Sequence, residues 1–200
     1  MDLNLSSQLM ALMLGVQEHA GDAHEITHGG GVASGPWWAI LIPGMPILGA
    51  IACVMLAMVR DKTKAPAWVS VGCLGVSFLA TVALWLTNDG TAVTTSFEWI
   101  NLHWGSEPGQ SFIANWGFYL DSLTLLWMLF VTGLGTLIAL YASEYMEHDL
   151  GAGYCRFFFA FCLFVFSMSC LVMADNLILL YLGWEGVGLC SYLLIGYFYK

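Results

Sequence analysis

The chain has 200 residues, of which 59% are hydrophobic and only 10% charged, with a formal net charge of −9. A soluble domain carries roughly a quarter charged residues, so this sequence lacks the charge to coat itself in water, which places it in the membrane class. Its five Lys and Arg residues (Arg60, Lys62, Lys64, Arg156, Lys200) form no basic patch that could hold a nucleic acid.

Residues 1–35 read as a polar or interfacial tail. Leu3 to Val16, about 14 residues, is too short to span a bilayer and is expected to lie along the interface. No Lys or Arg precedes it, which makes it a poor secretory leader. Farther on, His24-Glu25-Ile26-Thr27-His28 matches H-E-x-x-H, a spacing that sets two imidazoles on one helical face for zinc. A catalytic metal is declined here. Ser34 stands where the longer motif needs a third histidine, and Gly29, Gly30 and Gly31 follow at once, each costing about 1 kcal/mol in a helix. The reading kept is a solvated tail, with adventitious metal binding by His19, His24 and His28 the next alternative. Ser34-Gly35-Pro36 reads as a flexible join to the first span.

A membrane helix needs roughly 20 mostly apolar residues. The predicted spans are about 36–59, 65–88, 119–143, 156–174 and 177–198, the last interrupted only by Glu185. The fold class is therefore an all-α polytopic membrane protein with about five transmembrane helices and a membrane domain over 36–200. If the basic 60–64 loop is cytoplasmic, alternation puts Arg156 and Lys200 on the same face. That predicts the N-terminus outside and the C-terminus cytoplasmic. In the outer 89–121 loop, Phe97 to Trp104 partly alternates apolar and polar, Gly105 to Gly109 is a turn, and Ser111 to Trp116 returns. A small β-hairpin is expected there. Trp37, Trp38, Trp68, Trp104 and Trp116 fall near the expected interfaces. The six cysteines include no C-x-x-C pair and read as small buried hydrophobes.

Glu185 is the candidate functional residue. It lies about 12 Å along a helix starting at Leu177, inside the hydrocarbon, where an ionised carboxylate costs a few kcal/mol or more. The competing reading is a protonated Glu acting as glue between helices. At 100° per residue Tyr181, Gly188, Tyr192 and Gly196 share its face. Two phenols beside a carboxyl make Tyr181 and Tyr192 candidate proton-relay residues. Gly183, Gly186 and Gly188 allow close helix contact. A Glu facing a Lys has two charge states that can be switched, but no Lys lies within a predicted span, so the partner must come from elsewhere.

The run from Ala174 to Gly196, A-D-N-L-I-L-L-Y-L-G-W-E-G-V-G-L-C-S-Y-L-L-I-G, closely resembles the fifth-helix region of NADH-quinone oxidoreductase subunit L, also called chain 5. Phe118-Tyr119-Leu120-Asp121-Ser122-Leu123-Thr124, Tyr141 to Met146 and Arg156-Phe157-Phe158 resemble the same family. The resemblance implies an antiporter-like membrane-arm subunit of respiratory complex I in a bacterial inner membrane, coupling quinone reduction to proton translocation beside other membrane-arm subunits. It implies no cofactor or redox centre in this chain, with NADH, FMN, iron–sulfur clusters and quinone handled elsewhere in the complex. In the family the fifth-helix glutamate, matched by Glu185, pairs with a lysine on the broken seventh helix. Lys200 is not that lysine, and the chain is expected to be truncated before it. The rival readings are the large subunit of a multi-subunit Na⁺/H⁺ antiporter or membrane-bound hydrogenase, and a structural or assembly fragment that does not pump.

Overall fold

The computed structural model describes residues 33–59, 63–87, 90–103, 111–149 and 151–198. Leu3–Val16, the His24–His28 motif and Trp104 lie outside the described residues.

Among the described residues five helices are long and apolar enough to cross a membrane. A 3-10 turn, Trp37–Ile40, leads into α1, Leu41–Met58. Then come α2, Ala65–Thr87, α3, Ser122–Tyr145, α4, Ala152–Met173, and α5, Leu177–Ile195, which ends in a 3-10 turn over Gly196–Phe198. The expected polytopic helical class is what the structure has. Local chemistry sets several ends. The Asp121 carboxylate accepts from the Thr124 amide at 2.7 Å and Asn176 accepts from the Leu179 amide at 2.9 Å, capping α3 and α5. Gly151, at φ 131°, supplies the left-handed residue that turns the chain into α4.

In lipid every backbone polar group needs an internal partner, and hydroxyls within the helices obey the same rule. Ser70, Thr81, Thr132 and Ser169 each donate to the carbonyl four residues back, at 2.6 to 2.9 Å. Helix α4 is central, packed against α1, α5 and α3, while α2 lies against α1 and α3. At the junction of α1, α2 and α4, a Cβ on Gly49 would stand 3.2 Å from both the Cys162 sulfur and the Cys73 Cβ. The cysteines there are free and serve as small packing groups.

The hairpin is present and longer than its alternation suggests: β2, Ala92–His103, pairs antiparallel with β3, Ser111–Leu120, with irregularities between Thr95 and Phe97 and between Glu98 and Ile100. A third strand, β1, Ala33–Ser34, runs parallel to β2, with Ala33 opposite Ala92. The segment read as a flexible join is therefore partly sheet, and the Gly35 amide donates to the Val93 carbonyl at 2.9 Å. Gly35 presses on the Thr94 side chain, leaving no room for a Cβ. Sequence patterning missed β1 because two residues carry no period.

The helix ends sort into two layers. The hairpin, the start of α3 and the α4–α5 turn meet at one end, around Phe118, Leu120, Leu125, Met173 and Leu179. At the other, Lys64 bridges Glu144 and Glu147 at 3.1 and 3.2 Å, the Tyr154 hydroxyl donates to the Ser143 carbonyl at 3.0 Å, and the Tyr197 hydroxyl donates to Asp149. Arg156 belongs to this second end. The sequence reading made it the first residue of its span, and α4 begins four residues earlier, at Ala152.

Candidate functional site

Helix α5 carries two unlike faces. One buries Leu179, Gly183 and Cys190 against α4. Glycine is required there by contact rather than by backbone conformation. A Cβ on Gly183 would lie 2.5 Å from the Leu171 amide nitrogen and 2.9 Å from the Ser167 carbonyl oxygen. A Cβ on Gly186 would lie 2.5 Å from the Ser167 hydroxyl. Small residues thus let α5 approach the backbone of α4, the usual way membrane helices gain packing energy.

The other face carries the candidate site. Glu185, Tyr181, Gly188 and Tyr192 are all exposed within this chain. Only 17% of the α5 span is buried, against 50% for α4. The sequence reading took Glu185 as buried. The structure corrects this: the carboxyl is at membrane depth, but none of the described helices covers it. The glycine notch fixes the rotation of α5, and Glu185 then points away from α4. Depth and burial separate here because depth follows from position along one helix, while burial depends on a neighbour.

Two of the three predicted site residues are neighbours along α5. Tyr181 stands four residues and one turn before Glu185 on the same open face, so phenol and carboxyl are neighbours. Tyr192 lies seven residues beyond Glu185, about 10 Å along the axis, so it is not in direct contact. It instead borders a recess of about 520 Å³ with Arg156, Leu193, Ile195 and Gly196. Arg156 is itself far from the carboxyl. It lines the same recess as Leu193, which is eight residues and about 12 Å from Glu185 along the helix. Among the described residues no group of three or more His, Cys, Asp or Glu is placed to hold a metal ion.

The other end of α5 is fixed by residues that the sequence reading passed over. The Asn176 side-chain amide donates to the Asn115 carbonyl at 2.6 Å, and the Asp175 amide donates to the Gly117 carbonyl. Phe118 and Ala174 form an isolated antiparallel bridge. Burial against the hairpin raises the Asp175 carboxyl above its ordinary 3.8, opposed by hydrogen bonds from Asn176 and its own backbone. An Asn directly before an apolar run was a readable cap signal. Its second bond, to a strand 61 residues earlier in the sequence, was not.

Residues 104–158 match the family described as NADH-ubiquinone oxidoreductase (complex I), chain 5 N-terminus, and residues 174–200 match the NADH:quinone oxidoreductase/Mrp antiporter transmembrane family. The chain is 42% identical over 159 residues to NADH-quinone oxidoreductase subunit L of Escherichia coli K12, covering 76% of this chain and 24% of that protein. The corresponding subunit L of Pseudomonas aeruginosa is 42% identical over 163 residues, covering 80% and 26%. NADH-ubiquinone oxidoreductase chain 5 of Phytophthora infestans is 40% identical over 114 residues, covering 57% and 16%. The chain spans about a quarter of the length of the two bacterial relatives.

Proposed function

The chain belongs to the family of NADH-quinone oxidoreductase subunit L and complex I chain 5, matching its N-terminal part, and from that premise we propose that it serves as a membrane-arm subunit coupling quinone reduction to proton translocation. The observation that supports this reading is the Glu185 carboxyl within the apolar span of α5, on its open face and one turn from the Tyr181 phenol. An ionised carboxylate facing hydrocarbon is costly, so the face is suited to protein and water rather than acyl chains. The counter-charge comes from protein packed there, since α1, α2, α3 and α5 contain no Lys or Arg and Arg156 sits two turns away. Glu185 takes up a proton when that cation withdraws and releases it when the cation returns. Tyr181 holds the carboxyl oriented, and Tyr192 carries the path toward the Arg156 end through water. Electron transfer belongs to other subunits. The basic 60–64 loop, Arg156 and Lys200 face the cytoplasm of a bacterial inner membrane under the positive-inside rule.

A second reading, cation/proton antiport, is favoured by the match of residues 174–200 to a family shared with Mrp antiporters. Co-purification separates the two: NADH dehydrogenase modules come with a complex I subunit and not with an antiporter. The mechanistic test is Glu185→Gln in the assembled complex. Proton pumping per NADH should fall severalfold while assembly is kept. Unchanged pumping would return Glu185 to a structural role and support a fragment that does not translocate protons.

A further inference from the structure

Arg156 is the sole Lys or Arg within the five described helices, and the structure surrounds it with apolar relief on both sides. On one side α1 and α4 leave a groove of about 240 Å³ lined by Val54, Ala57 and Met58 of α1, with Cys155, Arg156 and Phe159 of α4. On the other, α4 and α5 leave a second of about 140 Å³, lined by Arg156, Phe159, Ala160, Leu193 and Tyr197 among others. Arg156 and Phe159 border both grooves. They are three residues apart, hence on one face of α4. The arrangement is a guanidinium at the membrane end of a ridge, an aromatic ring one turn farther in, and an apolar channel on either flank.

Among the described residues Arg156 forms no ion pair. The ion pairs at this end of the described residues belong to Lys64, which holds Glu144 and Glu147. Asp149 accepts from the Tyr197 hydroxyl. Arg156 is near enough to that phenol to pull its pKa down, against burial and Asp149, which push it up. An arginine four residues into α4 stands about 6 Å below the helix start, within reach of the headgroup layer for a side chain that snorkels. Its planar fork binds phosphate oxygens in pairs.

We infer that Arg156 and the two grooves beside Phe159 form a binding site for one diacyl phospholipid, its phosphate on the guanidinium and one acyl chain in each groove. The occupant follows from the shape. One cation flanked by two apolar grooves matches one phosphate flanked by two acyl chains, and a free phosphate would leave both grooves empty. The inference requires only that the chain sits in a bilayer and is independent of which ion Glu185 handles.

The test is lipid retention by the purified, delipidated full chain, read by native mass spectrometry during titration. The probes are phosphatidylglycerol, phosphatidylethanolamine, diacylglycerol with the same chains, and inorganic phosphate. The wild type should retain one phospholipid of either headgroup and bind diacylglycerol at least tenfold more weakly, with inorganic phosphate failing to displace the lipid. Arg156→Gln should weaken retention about tenfold, and Ala57→Phe, which fills one groove and leaves Arg156 intact, should weaken it severalfold. Lys64→Gln, at the same end but engaged with glutamates, should have no effect. Equal retention by Arg156→Gln and wild type overturns the site. So does equal binding of diacylglycerol, or an equal loss on Lys64→Gln, which would mean diffuse surface charge. Displacement by inorganic phosphate would make Arg156 a small-anion site and also overturn the inference.

Discussion

The Ser77 hydroxyl in α2 donates to the Ile42 carbonyl in α1 at 2.6 Å. That carbonyl is the one the α-helical pattern would pair with the amide of residue 46, and Pro46 has no amide hydrogen. Ser77 thus takes over a hydrogen bond that the proline removed, and both Ile42 and Ser77 are fully buried. Replacing Ser77 with Ala should leave the carbonyl unsatisfied and destabilise the fold by about 1–3 kcal/mol. In a Pro46→Ala background the helical bond is restored, so the same Ser77→Ala change should cost less. A double-mutant cycle read by denaturation in detergent measures the difference. A coupling energy of zero would show that Ser77 does not act through that carbonyl.

Gly183 should tolerate no side chain. Because the clash of an added Cβ is with the Leu171 and Ser167 backbone, neither side can yield by a rotamer change. Gly183→Ala should cost about 1–3 kcal/mol, as overpacking does. Gly188, on the open face with nothing within 4 Å, should accept Ala with little change in the isolated chain. Thermal unfolding of the two variants in the same detergent checks the contrast.

Asn176 performs two tasks, and two substitutions divide them. Asn176→Ala removes the cap on α5 and the bond to the Asn115 carbonyl, and the cap alone is worth about 1 kcal/mol. Asn176→Asp retains the capping oxygen but loses the donor, and it adds a charge beside Asp175. Hydrogen exchange should show both variants loosening the hairpin, with only the Ala variant fraying the first turn of α5. Equal protection of the hairpin in wild type and Asn176→Asp would mean that the Asn115 bond carries no weight.

Asp175 should make hairpin docking depend on pH. Its carboxyl is raised in the folded chain, burial being the main cause. Folding therefore favours the protonated form. The stabilising contribution is complete below the ordinary value of 3.8 and is lost as pH rises through the folded value. At neutral pH the charged form works against docking, so Asp175→Asn should increase protection of the hairpin amides there. The difference from wild type should vanish as the solution is acidified. A difference that persists unchanged at low pH would assign the effect to packing against Gly117 instead of charge.

The sequence by itself determined the class and most of the elements. Runs of some 20 apolar residues must be helical in lipid, because no water can satisfy their backbone. Each run can therefore be read without knowing its neighbours. Glu185 was visible for the same reason: one charge in an apolar run is a local fact about depth. The hairpin announced itself by alternation and a glycine-rich turn, and the run around Glu185 carried the family.

Tertiary structure decided which face of each helix is covered, and this depends on residues distant in sequence. The Gly183 notch could be read as a stripe of small residues, but only Leu171 and Ser167 show that it fixes α5 with Glu185 outward. The two-residue strand Ala33–Ser34 exists because β2 offers an edge to pair with. The Asn176 bond to Asn115 exists because the hairpin folds back onto the α4–α5 turn. Arg156 read as the first residue of its span, and only the packing of α1 and α5 around α4 placed it between two grooves. A chain spells out its helices one at a time through local solvation, while its sites require several helices to meet.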